Sequence, residues 1–294
     1  MIVFNHNLIF KHEPGLNDMP FNDALDTIAV CEVGNRIYEE IVIEDNTWDE
    51  VSSQLVRYFR LDEESLSNTS FSWAMEIKDI LTLIWDVNKR IIYYQKRKNY
   101  TSQKLQFWVL HTFFPMILDL ERRYRILHVG GVEIEGKSVL FSAFSYGGKS
   151  TLTDYFIKKG HLLLADDTVA IEKRDKAYYA ISSYPFHRPY RKVETLGDAV
   201  QNFSIEPKPL YAVFLLEKSD PNTTVKITKL SGVKKFKAFH YSAFVFLDFT
   251  KQERFEFFIE MAKKVPVYKV SVPWDLERLD EVYEAICIHT SSLD

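Results

Sequence analysis

Val139-Leu-Phe-Ser-Ala-Phe-Ser-Tyr-Gly-Gly-Lys-Ser-Thr151, followed closely by Leu162-Leu-Leu-Ala-Asp-Asp167, is the stretch on which the reading of this 294-residue chain turns. The first part reads as a strand, a loop of small residues and the start of a helix. Ala143-x4-Gly148-Lys149-Ser150 fits the phosphate-binding (Walker A) pattern G-x4-G-K-[ST], with Ala in the place of the first Gly. In such a loop successive backbone N–H groups wrap phosphate oxygens, and the helix N-terminus adds its partial positive charge. Ser145, Tyr146, Gly147, Gly148, Lys149, Ser150 and Thr151 are therefore the candidate nucleotide-binding residues. Lys149 is the point charge and the Ser150 hydroxyl a ligand for Mg²⁺. The plainer reading of Gly147-Gly148 is a turn that caps a helix.

Lys149 opens a short helix to about 159, stopped by Gly160, and 161–165 reads as the next strand. Asp166 and Asp167 end that strand, Asp166 lying 17 positions after Lys149. Strands joined through a helical crossover run parallel, so loop and carboxylates emerge on one edge of the sheet, around one crevice. There one carboxylate can hold Mg²⁺ while its neighbour orients or deprotonates an incoming hydroxyl. Asp-Asp on its own would read only as a polar strand end.

The rest of the chain is that of an ordinary globular protein, with 46% hydrophobic and 27% charged residues. A net charge of −4 gives no global basic field, so neither nucleic acid nor a membrane surface is an expected partner. Cys31 and Cys287 match no metal or redox spacing and read as buried free thiols of a reducing cytoplasm. The start Met1-Ile-Val-Phe-Asn-His-Asn lacks the features of a signal peptide. The most lipid-like run, 105–118, is too short to span a bilayer and reads as a buried helix. Together these point to a cytoplasmic protein.

The expected organisation is α/β with two parts: a small N-terminal α/β region over 1–98 and a nucleotide-binding, phosphotransfer domain over 99–294. In the first part strands are expected at 27–33, 36–44 and 89–95, with a hairpin at Gly34-Asn35. A helix capped by Thr47 would carry Trp48, Val51, Leu55, Tyr58 and Phe59 on its apolar face, and 62–72 reads as a loop. His6 and His12 read as solvated. A helix over 101–122, kinked or split by Pro115, leads into a hairpin of 125–134 and 138–144 turning at Glu135-Gly136-Lys137. Beyond Asp167 the pattern predicts strands at 168–172, 177–181, 210–216, 225–230 and 265–272, and helices at 231–240, 250–264 and 274–288. Tyr184-Pro-Phe-His-Arg-Pro-Tyr-Arg191 holds three cations that a phosphate site could use; Arg188 is the favoured one.

Lys158-Lys-Gly-His-Leu-Leu-Leu-Ala-Asp-Asp-Thr-Val-Ala-Ile171, so soon after Gly148-Lys149-Ser150, resembles the core of the HPr kinase/phosphorylase family and its relatives of the phosphoenolpyruvate carboxykinase type. That family also places a histidine ahead of the loop; His128, 21 positions before Lys149 in Ile126-Leu-His-Val-Gly-Gly131, matches the spacing. The resemblance covers about 128–172. It implies a P-loop kinase core with a mixed sheet, in which Lys149 holds the β- and γ-phosphates. Ser150 and Asp167 would hold Mg²⁺, and Asp166 would activate the acceptor hydroxyl with His128 beside it. It further implies homo-oligomers, for which no stretch of sequence supplies an interface. Ala143, Tyr146 and Thr151 depart from the family's loop, and its signature after the Asp pair and its usual N-terminal domain are absent.

The sequence therefore points first to a Mg²⁺- and ATP-dependent kinase acting on a hydroxyl, such as a serine of a peptide, protein or small molecule. A nucleotide-binding accessory or sensor module with little or no transfer is the alternative, and ADP or pyrophosphate are alternative donors.

Overall fold

In a computed structural model, residues 1–17, 20–33, 48–60, 71–144, 146–188 and 194–291 are described. The chain forms two compact units, Met1–Ile117 with Arg191–Leu196, and Leu118–Tyr190 with Gly197–Asp294. The class is α/β with mixed sheets. Among the described residues no helix is long and apolar enough to cross a membrane.

The first unit is built on one eight-stranded sheet: β1 (Ile2–Val3), β2 (His6–Phe10), β3 (Thr27–Glu32), β4 (Asp49–Val51), β5 (Gln54–Arg60), β6 (Phe71–Ile77), β7 (Leu81–Asp86) and β8 (Ile91–Lys96). Their order is β1-β2-β3-β8-β7-β6-β5-β4. The helix expected after Thr47 is instead the β4–β5 hairpin. Ser52 and Ser53 take φ of +50° and +63°, the positive pair a two-residue hairpin turn requires. Leu55, counted on the helix's apolar face, is exposed, while Val56 is buried. Arg57 meets its cross-strand partner Glu76 at 2.6 Å. Period 2, reinforced by cross-strand pairs, prevails here over a short apolar coincidence at helical spacing. The strand at 36–44, its hairpin, the Thr47 cap and residues 62–70 of the expected loop lie outside the described residues, while Phe71 and Ser72, expected in that loop, begin β6. His6 is buried rather than solvated, its ring N–H donating to the Phe4 carbonyl at 2.7 Å. Cys31 and Cys287 are free but only half-buried.

The buried helical run comes in three pieces: α1 (Ser102–Phe107), a π-turn (Trp108–Phe113) and α2 (Phe114–Leu120). Thr101 caps the start through Lys104 N–H at 3.2 Å. Pro115 has no N–H to continue the ladder, and ahead of it Phe114 N–H reaches back to the Val109 carbonyl.

The second unit holds β9 (Arg125–Leu127), β10 (Gly130–Ile134), β11 (Lys137–Ser142), α3 (Lys149–Lys158), β12 (Leu162–Ala165), β13 (Val169–Arg174), β14 (Ala177–Ile181), β15 (Phe186–His187), β16 (Asp198–Ala199), β17 (Lys208–Ser219), β18 (Lys226–Lys229), α4 (Gly232–Tyr241), α5 (Lys251–Lys264), β19 (Val267–Pro273) and α6 (Leu279–Ser291). The expected helix at 274–288 begins later, after a 3₁₀ turn at Leu276–Arg278. The expected strand at 125–134 is broken at His128-Val129, because β9 pairs with β13 while β10 lies between β11 and β12.

β10 is antiparallel to both β11 and β12, so those two run parallel with one strand between them. Strand β17 continues the sheet parallel to β11, and β19 lies parallel to β17. Side chains alternate between two cores. Val139, Phe141, Phe214 and Val270 pack with Leu152 and Phe156 of α3 and Ile286 of α6. Leu140, Val213 and Val267 pack on the other side with Phe239 of α4 and Phe258 of α5. The sheet is thereby covered on both faces, and its loops after β11 and β12 open on one edge.

Candidate active site

The loop from Ala143 to Gly148 follows β11 directly. Gly148, at φ +87°, is the N-cap of α3, and the first intrahelical bond runs from Leu152 N–H to the Gly148 carbonyl at 2.9 Å. The N–H groups ahead of Leu152 thus have no acceptor within the helix. A Cβ on Gly147 would lie 2.6 Å from the Ala143 Cβ and 2.7 Å from the Phe144 carbonyl oxygen. Ala143 is accommodated because position 147 has no side chain. Tyr146, at φ +60° and 87% exposed, sits in a conformation that disfavours side chains. Lys149 is 5% exposed and donates from Nζ to the Ala143 carbonyl at 3.2 Å. Ser150 and Thr151 lie in the first turn, and Ser145 lies outside the described residues.

The end of α3 is set by two bonds, Gly160 N–H to Ile157 O and His161 N–H to Phe156 O, which send the chain back into β12. Helix and sheet approach closely at β10: a Cβ on Gly130 would stand 2.4 Å from Thr153 Oγ1. Gly130→Ala should therefore cost about 1–3 kcal/mol, the usual range for overpacking. It would appear as a lower denaturant midpoint at unchanged slope; an unchanged midpoint would refute the close packing.

Asp166 and Asp167 follow β12 and are both buried. Asp166 Oδ2 accepts the Arg188 N–H at 2.9 Å. Its Oδ1 lies 3.1 Å from His187 Nδ1, within ion-pair reach but off the line of a hydrogen bond. His187 also reaches Asp154 of α3, Nε2 to Oδ1 at 3.4 Å. Asp167 Oδ1 lies 3.4 Å from His128 Nδ1, and Oδ2 lies 3.6 Å from the Arg188 guanidinium. His128 occupies the break between β9 and β10, held by its N–H to the Ser242 carbonyl at 2.6 Å. Beneath this group Tyr184 is buried, its phenol pushed up first by burial and then by the Asp167 carboxylate.

His128, Asp166, Asp167 and Arg188, singled out from sequence, thus lie in one chain of contacts, and His128 shares a cleft with Lys149. Thr151 lies elsewhere: with Gly147, Gly148 and Trp274 it lines an apolar pocket of about 220 Å³ on the other side of the loop. The sequence reading missed the bridging role of His187, although it quoted the run containing it. It also missed Asp154 and Trp274, which carry no local motif.

No family model matches this chain, and no curated protein matches it. Among solved structures, that of the Hpr(Ser) kinase/phosphatase from Coxiella burnetii is similar over 57% of this chain and 91% of that one, at 14% identity and a TM-score of 0.33. A likeness of that size leaves function to be argued from this chain's own residues.

Proposed function

We propose that the chain is a nucleoside-triphosphate-dependent phosphotransferase acting on a hydroxyl, with the loop 143–151 as its phosphate-binding loop. The observation that carries this reading is the convergence on one sheet edge of a glycine-bearing loop at a helix N-terminus and a pair of buried carboxylates linked to His128 and Arg188. Lys149 and the first-turn N–H groups take the β- and γ-phosphates. The apolar pocket beside Trp274 suits a nucleobase, which favours a nucleotide donor over bare pyrophosphate.

Mg²⁺ is bound through one or two carboxylates together with substrate phosphates rather than by an all-protein cage. Asp167 and the Ser150 hydroxyl are donors of that kind. Among the described residues no group of three or more His, Cys, Asp or Glu side chains is arranged to hold a metal alone. When bound, the ion would neutralise charge on the transferring phosphate.

In the transfer step Asp166 accepts the proton of the acceptor hydroxyl as its oxygen forms a bond to the γ-phosphorus. The bond from that phosphorus to the β-phosphate oxygen breaks, and the nucleoside diphosphate leaves with the electron pair. Lys149 stabilises the charge gathered on the phosphate oxygens. His187 and the Arg188 N–H hold Asp166 in place, His187 braced in turn by Asp154.

The test is incubation with γ-labelled ATP and Mg²⁺ against hydroxyl acceptors, with ADP and pyrophosphate as parallel donors. Label in a product is expected with ATP. Nucleotide binding without labelled product would instead identify an accessory or sensor module.

A further inference from the structure

The face of the sheet that packs on α4 and α5 changes character along its parallel strands. Leu140 is followed on that face by Ser142, Val213 by Leu215 and Glu217, and Val267 by Lys269 and Ser271. The register with β18 adds Thr228 opposite Lys269 and Lys226 opposite Ser271. Across from them α4 presents Lys234, Lys237 and Tyr241, spaced to share one helix face. The space between is a cleft of about 790 Å³ that also reaches Lys149 and His128.

Among the described residues six lysines line this cleft against one carboxylate, Glu217, which Lys269 already meets at 2.8 Å. Lys226, Lys229, Lys234 and Lys237 have no carboxylate within ion-pair reach among the described residues. A run of lysines on one helix is ordinarily a solvated face. Here they arrive from two strands, β18 and β19, and two helices, α3 and α4, at one concavity, where their mutual repulsion opposes folding. Lys235, next on the helix, has its ammonium pushed down by burial and then by Lys229. A ligand of opposite charge is what offsets such an arrangement.

We propose that this cleft binds the phosphoryl acceptor, and that the acceptor is a small hydroxyl compound already bearing phosphate; this rests on the transferase reading above. The volume lies in the range of small-molecule clefts, about 300–1,000 Å³. A phosphomonoester brings about −1.5 to −2 charges, so one or two such groups match the four unpaired ammoniums. The hydroxyls of Thr228, Ser231 and Ser271 complete the donors for phosphate oxygens. Because Lys149 and His128 also line this cleft, a bound acceptor lies beside the donor's phosphates.

The experiment is a crossed pair of titrations on the full chain, read by calorimetry, with inorganic tripolyphosphate as the acceptor-site probe and ADP with Mg²⁺ as the donor-site probe. Lys234→Gln/Lys237→Gln, both exposed positions, should weaken tripolyphosphate at least tenfold and leave ADP within twofold. Lys149→Met should weaken ADP at least tenfold and tripolyphosphate by less than the double variant does. Tripolyphosphate that binds the double variant as tightly as the wild type, or fails to saturate on the wild type, overturns the acceptor site. So does a hexaglutamate peptide that binds as tightly as tripolyphosphate, since that would mark a general acidic-peptide surface. Loss of the ADP arm alone counts against the nucleotide reading and leaves the cleft standing.

Discussion

Lys149→Met is expected to lower kcat/KM for phosphoryl transfer by about 10²–10³, the usual loss when one preorganised charge donor is removed. The side chain is 5% exposed and folds over the loop to the Ala143 carbonyl. Methionine keeps its apolar length and removes only the ammonium, so the unfolding midpoint should change little. Both nucleotide affinity and turnover should fall, because the charge serves phosphates already present in the ground state as well as those developing in the transition state. Steady-state kinetics beside a nucleotide titration would check this. A variant that binds and turns over nucleotide like the wild type would remove the loop from the mechanism.

The second large effect belongs to Asp166. Asp166→Asn preserves shape and still offers an oxygen to the Arg188 N–H now bound at 2.9 Å. It cannot accept the hydroxyl proton, and loss of general-base assistance costs about 10²–10⁴ in rate. The expected pattern is a kcat lower by that factor with nucleotide affinity within twofold of wild type. This is the opposite signature to Lys149→Met, in which affinity falls too. Transfer at the wild-type rate would show that Asp166 is not the base. Loss of nucleotide affinity with kcat retained would make it a binding residue instead.

Local signals explain why some of the site could be read from the chain alone. The loop, the α3 N-cap and the Gly160 stop depend on contacts within about five residues, so a short window contains them. The Glu135-Gly136 hairpin is of the same kind, with φ of +51° and +79° at its two turn residues. Asp166 and Asp167 were named from their spacing after Lys149, His128 from the family resemblance and Arg188 from a run of cations, and the four lie within 3.6 Å of one another in successive pairs. The 48–59 segment failed for the converse reason: its strand identity rests on partners such as Glu76, nearly twenty positions away.

By itself the sequence determined the strand–loop–helix unit around Gly147-Gly148-Lys149, the carboxylate pair one crossover later, and the alternation that buries the sheet. Those are matters of backbone sterics and period, carried by neighbouring residues. Only the tertiary structure decided that β10 lies between β11 and β12, that His187 stands between Asp154 and Asp166, and that lysines from β18, β19 and α4 line one cleft. These depend on sheet register and helix packing between segments far apart in the chain, where no local pattern records which partner a strand will take.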